Sequence, residues 1–127
     1  MSLKHYGNLK MLLVEDDIFN VQLISALLAK ISHIDILTVD NSTAALNILE
    51  SEEHHIDIVL LDLHLPGEYG SKLLHIVRNS DKYDELPIII ISVDGINKDE
   101  LLTMGANDFI LKPFDIDVFT SKLSLHL

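Results

Sequence analysis

Ile56-Asp57-Ile58-Val59-Leu60-Leu61-Asp62-Leu63-His64-Leu65-Pro66-Gly67 is the stretch that decides the fold. Its apolar run, Ile56 to Leu61, is nearly continuous rather than alternating, the pattern of a strand covered on both faces. Asp62 closes the run directly, and a proline-glycine turn follows. An acid at the end of a fully apolar strand points to function more than to a cap.

Four more short apolar runs flank this one: Met11 to Val14, Ile34 to Val39, Ile88 to Ile91 after Pro87, and Phe109 to Leu111. Between them apolar residues recur at three- and four-residue steps, the period of a helix with one buried face. Val21, Ile24, Leu27, Leu28 and Ile31 form one such stripe, and Ala45, Ile48 and Leu49 a second behind the helix-start cluster Asp40-Asn41-Ser42. Leu73, Leu74 and Val77 form a third, and a short helix carrying Leu101 and Leu102 ends at Gly105. Asp115 is placed to cap a last helix holding Phe119 and Leu123. Strand and helix alternating five times predict an α/β domain, a parallel sheet between two helical layers. The second run is the least apolar and suits an edge.

The chain has 127 residues, 48% of them apolar, which fits one domain with a real core. It has no cysteine, so disulfides and thiolate metal sites are excluded. A formal net charge of −11 argues against nucleic-acid binding and suits a protein that gathers carboxylates around a cation. No apolar run reaches the roughly 20 residues that span a bilayer, and no signal peptide is visible, which leads us to expect a cytoplasmic protein. Residues 1–8 read as an N-terminal extension to a domain over 9–127.

At the carboxyl ends of the expected strands stand Glu15, Asp16 and Asp17, then Asp62, Ser92 and Lys112. In open sheets of this class ligands bind beyond those ends. Clustered carboxylates repel by roughly 4 kcal/mol per pair at 4 Å and an effective dielectric of 20, so such a cluster wants a cation. Magnesium takes oxygen ligands from one or two carboxylates and keeps several waters. Carboxylates, an open-sided divalent cation and a lysine make a site for phosphoryl oxygens, with one carboxylate free to act as nucleophile. Asp17 reads more readily as a first-turn residue of the following helix than as a member of the acid set. The histidines His33, His54, His55, His75 and His126 form no ligand pattern and read as loop or helix-face residues.

Leu12 to Asp17, Leu60 to Gly67, Leu86 to Ser92 and Gly105 to Phe114 together resemble, in order and spacing, the motifs of response regulator receiver domains. Each motif alone is weak; four in register are strong. The resemblance implies a flavodoxin-like (βα)5 fold with strand order 2-1-3-4-5. It implies Asp62 as phosphoacceptor, with Glu15, Asp16, Asp62 and the backbone carbonyl of His64 holding Mg2+. Ser92 and Lys112 would contact phosphoryl oxygens, the Lys112-Pro113 bond would be cis, and Ser92 with Phe109 would form the switch. The implied partners are a histidine kinase or a histidine phosphotransfer protein. An output domain or a second copy would meet the face formed by the fourth helix, fifth strand and fifth helix. Such a domain is a signalling element rather than an enzyme, though it catalyses its own phosphorylation and dephosphorylation, and a longer parent could be a histidine kinase.

Several positions depart from the commonest receiver pattern. Ser92 replaces threonine, Phe109 lacks the hydroxyl of tyrosine, Val93 stands where a smaller residue is usual, and Tyr69-Gly70 replaces an acidic-glycine pair. His64 and Asp94 occupy positions whose side chains line the phosphoryl site, where we expect them to set the lifetime of the phosphorylated form. Two other readings compete: a receiver-like interaction module that is never phosphorylated, and an aspartate-nucleophile phosphatase of the haloacid dehalogenase type. The phosphatase needs a second aspartate two residues past the nucleophile, and His64 stands there.

Overall fold

The computed structural model describes residues 9–31, 34–65, 67–95 and 97–126. The expected extension at residues 1–8, His33 and the turn residue Pro66 lie outside the described residues. Five strands, β1 (Leu9–Val14), β2 (Ile34–Val39), β3 (Ile58–Asp62), β4 (Ile88–Ser92) and β5 (Asp108–Leu111), alternate with five helices. These are α1 (Ile18–Ile31), α2 (Ser42–Glu50), α3 (Ser71–Arg78), α4 (Lys98–Thr103) and α5 (Ile116–Leu125). The sheet order is β2-β1-β3-β4-β5 with every pair parallel, as the resemblance implied. No helix among the described residues is long and apolar enough to cross a membrane.

Strand side chains alternate between faces, and the sequence uses both parities. Leu12, Val14, Val59, Leu61, Ile88, Ile90 and Phe109 pack with Ala45, Leu49, Leu73, Leu74, Val77 and Leu101 on the side of α2, α3 and α4. Met11, Leu13, Ile58, Leu60, Ile89, Ile91 and Ile110 pack with Ile24, Leu28, Phe119 and Leu123 on the side of α1 and α5. β3 and β4 are buried at every position, which is why their runs do not alternate. β2 lies at an edge and is only partly covered, in keeping with its weaker apolar run.

The helix caps follow the sequence. The Asn41 side chain accepts the Ala44 N–H at 2.8 Å, and Asp115 accepts those of Asp117 and Val118. Strand bounds shift by a residue or two from the apolar runs, and one helix position turns outward. β3 begins at Ile58 rather than Ile56, because Asp57 ties off the strand: its carboxylate accepts the Lys10 N–H at 2.8 Å, and its own N–H donates to the Lys10 carbonyl at 2.8 Å. In α4 only Leu101 is buried while Leu102 faces outward, since neighbours on a helix point about 100° apart.

Arg78, at the end of α3, clamps one end of the molecule. Its guanidinium donates to the carbonyls of Gly105, Tyr83 and Leu86 and to the Asn107 side chain, all at 2.7–2.8 Å. Gly105 is required twice over: its φ is +115°, and a Cβ there would lie 2.8 Å from Arg78 Cγ.

Candidate functional site

Parallel register brings the strand ends level. Val14 pairs with Leu61, Asp62 with Ile91, and Ser92 with Leu111. Glu15 and Asp62 are therefore level, and Ser92 and Lys112 lie one and two residues further along the carboxyl edge. The ladder also continues past the strands, with Glu15 N–H on the Val39 carbonyl and Lys112 N–H on that of Ser92 at 2.7 Å.

Lys112 is the hub. Its Nζ lies 2.9 Å from Glu15 Oε1 and 3.4 Å from Asp62 Oδ2. The two carboxylate side chains are 0% and 6% exposed, and the lysine side chain 12%, so the contacts are shielded from solvent. Glu15 also accepts the N–H groups of Asp16 and Asp17, and Asp62 accepts the His64 N–H at 3.1 Å. Burial pushes the Glu15 carboxyl above its ordinary range; the hydrogen-bonded Asp62 carboxyl adds to this, and Lys112 opposes it.

Asp16 is exposed beside this pair, and Glu15, Asp16 and Asp62 each offer an oxygen within 4.8 Å of the others. Three carboxylates against one ammonium leave two formal negative charges, an all-oxygen set that fits a hard divalent cation. Asp17 is not part of the group. Its carboxylate accepts the Phe19 N–H at 2.9 Å and its carbonyl the Val21 N–H, so it caps α1.

Ser92 is fully buried at the same edge, its hydroxyl accepting the Asp94 N–H at 3.4 Å. Phe109 is 3% exposed and packed in the core beside Leu101, and with no hydroxyl it carries no polar atom that burial would strand. The Lys112-Pro113 bond is cis. His64 and Asp94 do meet, Nε2 to Oδ2 at 3.8 Å, and the His64 ring stands edge-on to Tyr69 at 5.5 Å.

Two features of the site escaped the sequence reading. His64–Leu65 and Glu68–Tyr69 pair as a small antiparallel ribbon, which sets His64 opposite Tyr69. Gly70 is a spacer. A Cβ there would lie 2.5 Å from the Asp62 carbonyl oxygen, although its φ of −59° suits any residue. The position of a glycine directly before a helix was the available signal. His126 is also more than a helix-face residue, since it joins Lys122 on Asp108.

The family model described as "Response regulator receiver domain" matches residues 11–124. A chemotaxis protein CheY homolog of Campylobacter jejuni is 30% identical over 118 residues, covering 91% of this chain and 89% of that protein. Among solved structures, the BeF3-activated receiver domain of Klebsiella pneumoniae RstA aligns at a TM-score of 0.78 and 33% identity, covering 92% of this chain and 97% of that one. The receiver domain of a Pseudomonas aeruginosa sensor histidine kinase, with a magnesium ion coordinated in its active site cleft, aligns at 0.78 and 25% identity, covering 92% and 95%.

Proposed function

This chain belongs to the response regulator receiver domain family, and from that premise we propose that Asp62 is the carboxylate on which it accepts the phosphoryl group. It is a signalling domain of a phosphorelay. The observation that carries the assignment is the Lys112 ammonium held between Glu15 and Asp62 with Asp16 alongside. Of the acids at this edge, Asp62 ends a central strand and both contacts the lysine and shares the candidate cation site.

Glu15, Asp16, Asp62 and the backbone carbonyl of His64 are the groups that would hold Mg2+. When bound, the cation supplies positive charge against the equatorial oxygens of the transferring phosphoryl group. An Asp62 oxygen attacks phosphorus of a phosphohistidine; the new O–P bond forms as the P–N bond to imidazole breaks, and the departing ring takes a proton from solvent. Lys112 and the Ser92 hydroxyl stabilise charge on the phosphoryl oxygens. Water later cleaves the acyl phosphate, so the domain catalyses both its loading and its discharge. The donor is a histidine kinase or a histidine phosphotransfer protein in the cytoplasm. Ile18, Phe19, Tyr69 and Val93, all exposed near this edge, give it an apolar seat. Output passes through the α4, β5 and α5 face, where Leu102, Leu111 and Val118 are exposed, to an output domain or a second copy.

Incubation with Mg2+ and acetyl phosphate tests the assignment and excludes the unphosphorylated-module reading. Intact mass should increase by one phosphoryl group, removable with hydroxylamine, and Asp62→Asn should abolish the gain. Full labelling of Asp62→Asn, or none of the native chain, overturns it.

A further inference from the structure

We propose that Asp108, Lys122 and His126 latch the last turn of α5 to the start of β5, so that a rearrangement at the Lys112 end of the strand is carried to the far end of the helix. This latch rests on the reading of Asp62 as phosphoacceptor and gives the α4, β5 and α5 face its moving part. Asp108 opens β5, and Lys112 directly follows its last residue, Leu111. The strand thus joins a residue of the site to the latch, roughly 13 Å away at the usual rise of about 3.3 Å per residue.

Three donors converge on the Asp108 carboxylate. Oδ1 accepts from Lys122 Nζ at 2.7 Å and from the Phe109 N–H at 2.8 Å, and His126 Nε2 lies 3.0 Å from Oδ2. An ionised carboxylate only accepts, so that Nε2 carries a hydrogen whatever the charge on the ring. A pair of exposed charges on a helix surface contributes little. Here the Asp108, Lys122 and His126 side chains are only 17%, 28% and 20% exposed, and they tie two different elements together. Burial alone would raise the Asp108 carboxyl; the hydrogen bonds from Lys122, the Phe109 N–H and His126 outweigh it and hold the group below its ordinary range.

The latch closes the second end of a unit already closed at the first. Between β5 and α5 run only residues 112–115, and Asp115 caps the helix there by accepting the N–H groups of Asp117 and Val118. Midway, Phe119 and Leu123, both fully buried, pack in the same cluster as Ile110 of β5. Lys122 lies in the last turn and His126 is the C-cap, its N–H on the Leu123 carbonyl. Strand and helix are therefore fastened at both ends and along the middle, and elements packed in this way shift as bodies rather than deform continuously. Phe109, the switch residue, belongs to the same unit through its N–H on Asp108. Leu125 is 75% exposed beside the inward-facing His126, so the latch fixes where this apolar side chain is presented.

The test uses the full chain, 15N-labelled, titrated with beryllium fluoride in the presence of Mg2+ as the phosphoryl probe. In the native chain, saturating probe should shift the amides of Asp62, Ser92 and Lys112 and also those of residues 123–126. In the double variant Lys122→Met, His126→Ala the shifts at Asp62, Ser92 and Lys112 should remain, while those at 123–126 fall at least threefold. His126→Gln keeps a donor in the place of Nε2 and should retain the native response. Coupling between two places is reciprocal, so the double variant should also reach half-saturation at a beryllium fluoride concentration at least twofold lower. A latch that merely stabilised the fold would leave that concentration unchanged. Undiminished shifts at 123–126 in the double variant, an unchanged half-saturation, or a His126→Gln response as weak as that of the double variant overturns the proposal. Native shifts at Asp62, Ser92 and Lys112 with none at 123–126 overturn the latch alone; no native shift at either place overturns the function proposed above and the latch with it. Should the double variant misfold, His126→Ala alone must still halve the shifts at 123–126.

Discussion

Magnesium should stabilise this protein at neutral pH and lose that effect as the pH falls, and Glu15 sets where the change occurs. Burial and the Asp62 carboxyl raise the folded-state pKa of Glu15 above the ordinary glutamate value of 4.5. Between that value and the raised one, the folded chain holds a proton that the unfolded chain has released. The stability of the metal-free protein therefore falls as pH rises through this window. Cation binding needs the ionised carboxylate, so the gain from magnesium grows through the same window. At a hundredfold excess over Kd, mass action gives about 2.7 kcal/mol. An unfolding entropy of about 2.1 cal/mol/K per residue converts this to a Tm increase of about 10 °C. Calorimetric scans with MgCl2, against NaCl of equal ionic strength, should show this increase near pH 7.5, a much smaller one near pH 4.5, and a loss of most of it in Asp16→Asn. A magnesium shift that is the same at both pH values, or intact in Asp16→Asn, refutes the reasoning.

Four further outcomes follow from the same contacts. Lys112→Gln removes the ammonium from between Glu15 and Asp62, and the acetyl phosphate labelling rate should fall by about a hundredfold or more, read by intact mass. Gly70→Ala forces a methyl against the Asp62 carbonyl; overpacking of this kind costs about 1–3 kcal/mol, seen as a lower urea midpoint, with slower labelling because the strand end moves. Arg78→Met leaves the carbonyls of Gly105, Tyr83 and Leu86 without their donor and should cost about 3 kcal/mol in urea unfolding; a loss under 1 kcal/mol would show that water replaces the clamp. His64→Ala removes the side chain facing Asp94 and Tyr69 but keeps the backbone carbonyl, so acyl-phosphate half-life should change at least threefold while magnesium affinity holds within twofold.

The β3 and β4 runs were legible because burial on both faces removes alternation, and the rim acids were legible because register forces strand ends level. Asp17 shows the limit of that reading. An acid beside two candidate ligands has the same sequence signature whether it caps a helix or joins them, and only the Phe19 N–H at 2.9 Å decides. Gly70 was hidden for another reason. Its φ is unremarkable, so its necessity comes from the distance between α3 and β3, a tertiary quantity that no local pattern encodes. The Arg78 clamp is equally non-local, since three of its four acceptors are backbone carbonyls, which have no sequence identity.

The geometry of Lys112 gives the site an order of events. The ammonium sits 2.9 Å from Glu15 and 3.4 Å from Asp62, the positive charge that two buried carboxylates side by side require. A divalent cation taken up by Glu15, Asp16 and Asp62 would supply that charge, and the lysine would lose its strongest claim. Under the proposed function the ammonium is then available to an incoming phosphoryl oxygen. Cation binding would thus do more than neutralise the acids: it would release the second positive group that the transfer needs. Lys112→Arg separates this from simple charge balance. The charge is kept, but the planar fork is suited to hold a carboxylate bidentately, so magnesium should still stabilise the fold while labelling falls by at least tenfold. Labelling at the native rate in that variant would mean that release of the lysine is irrelevant to transfer.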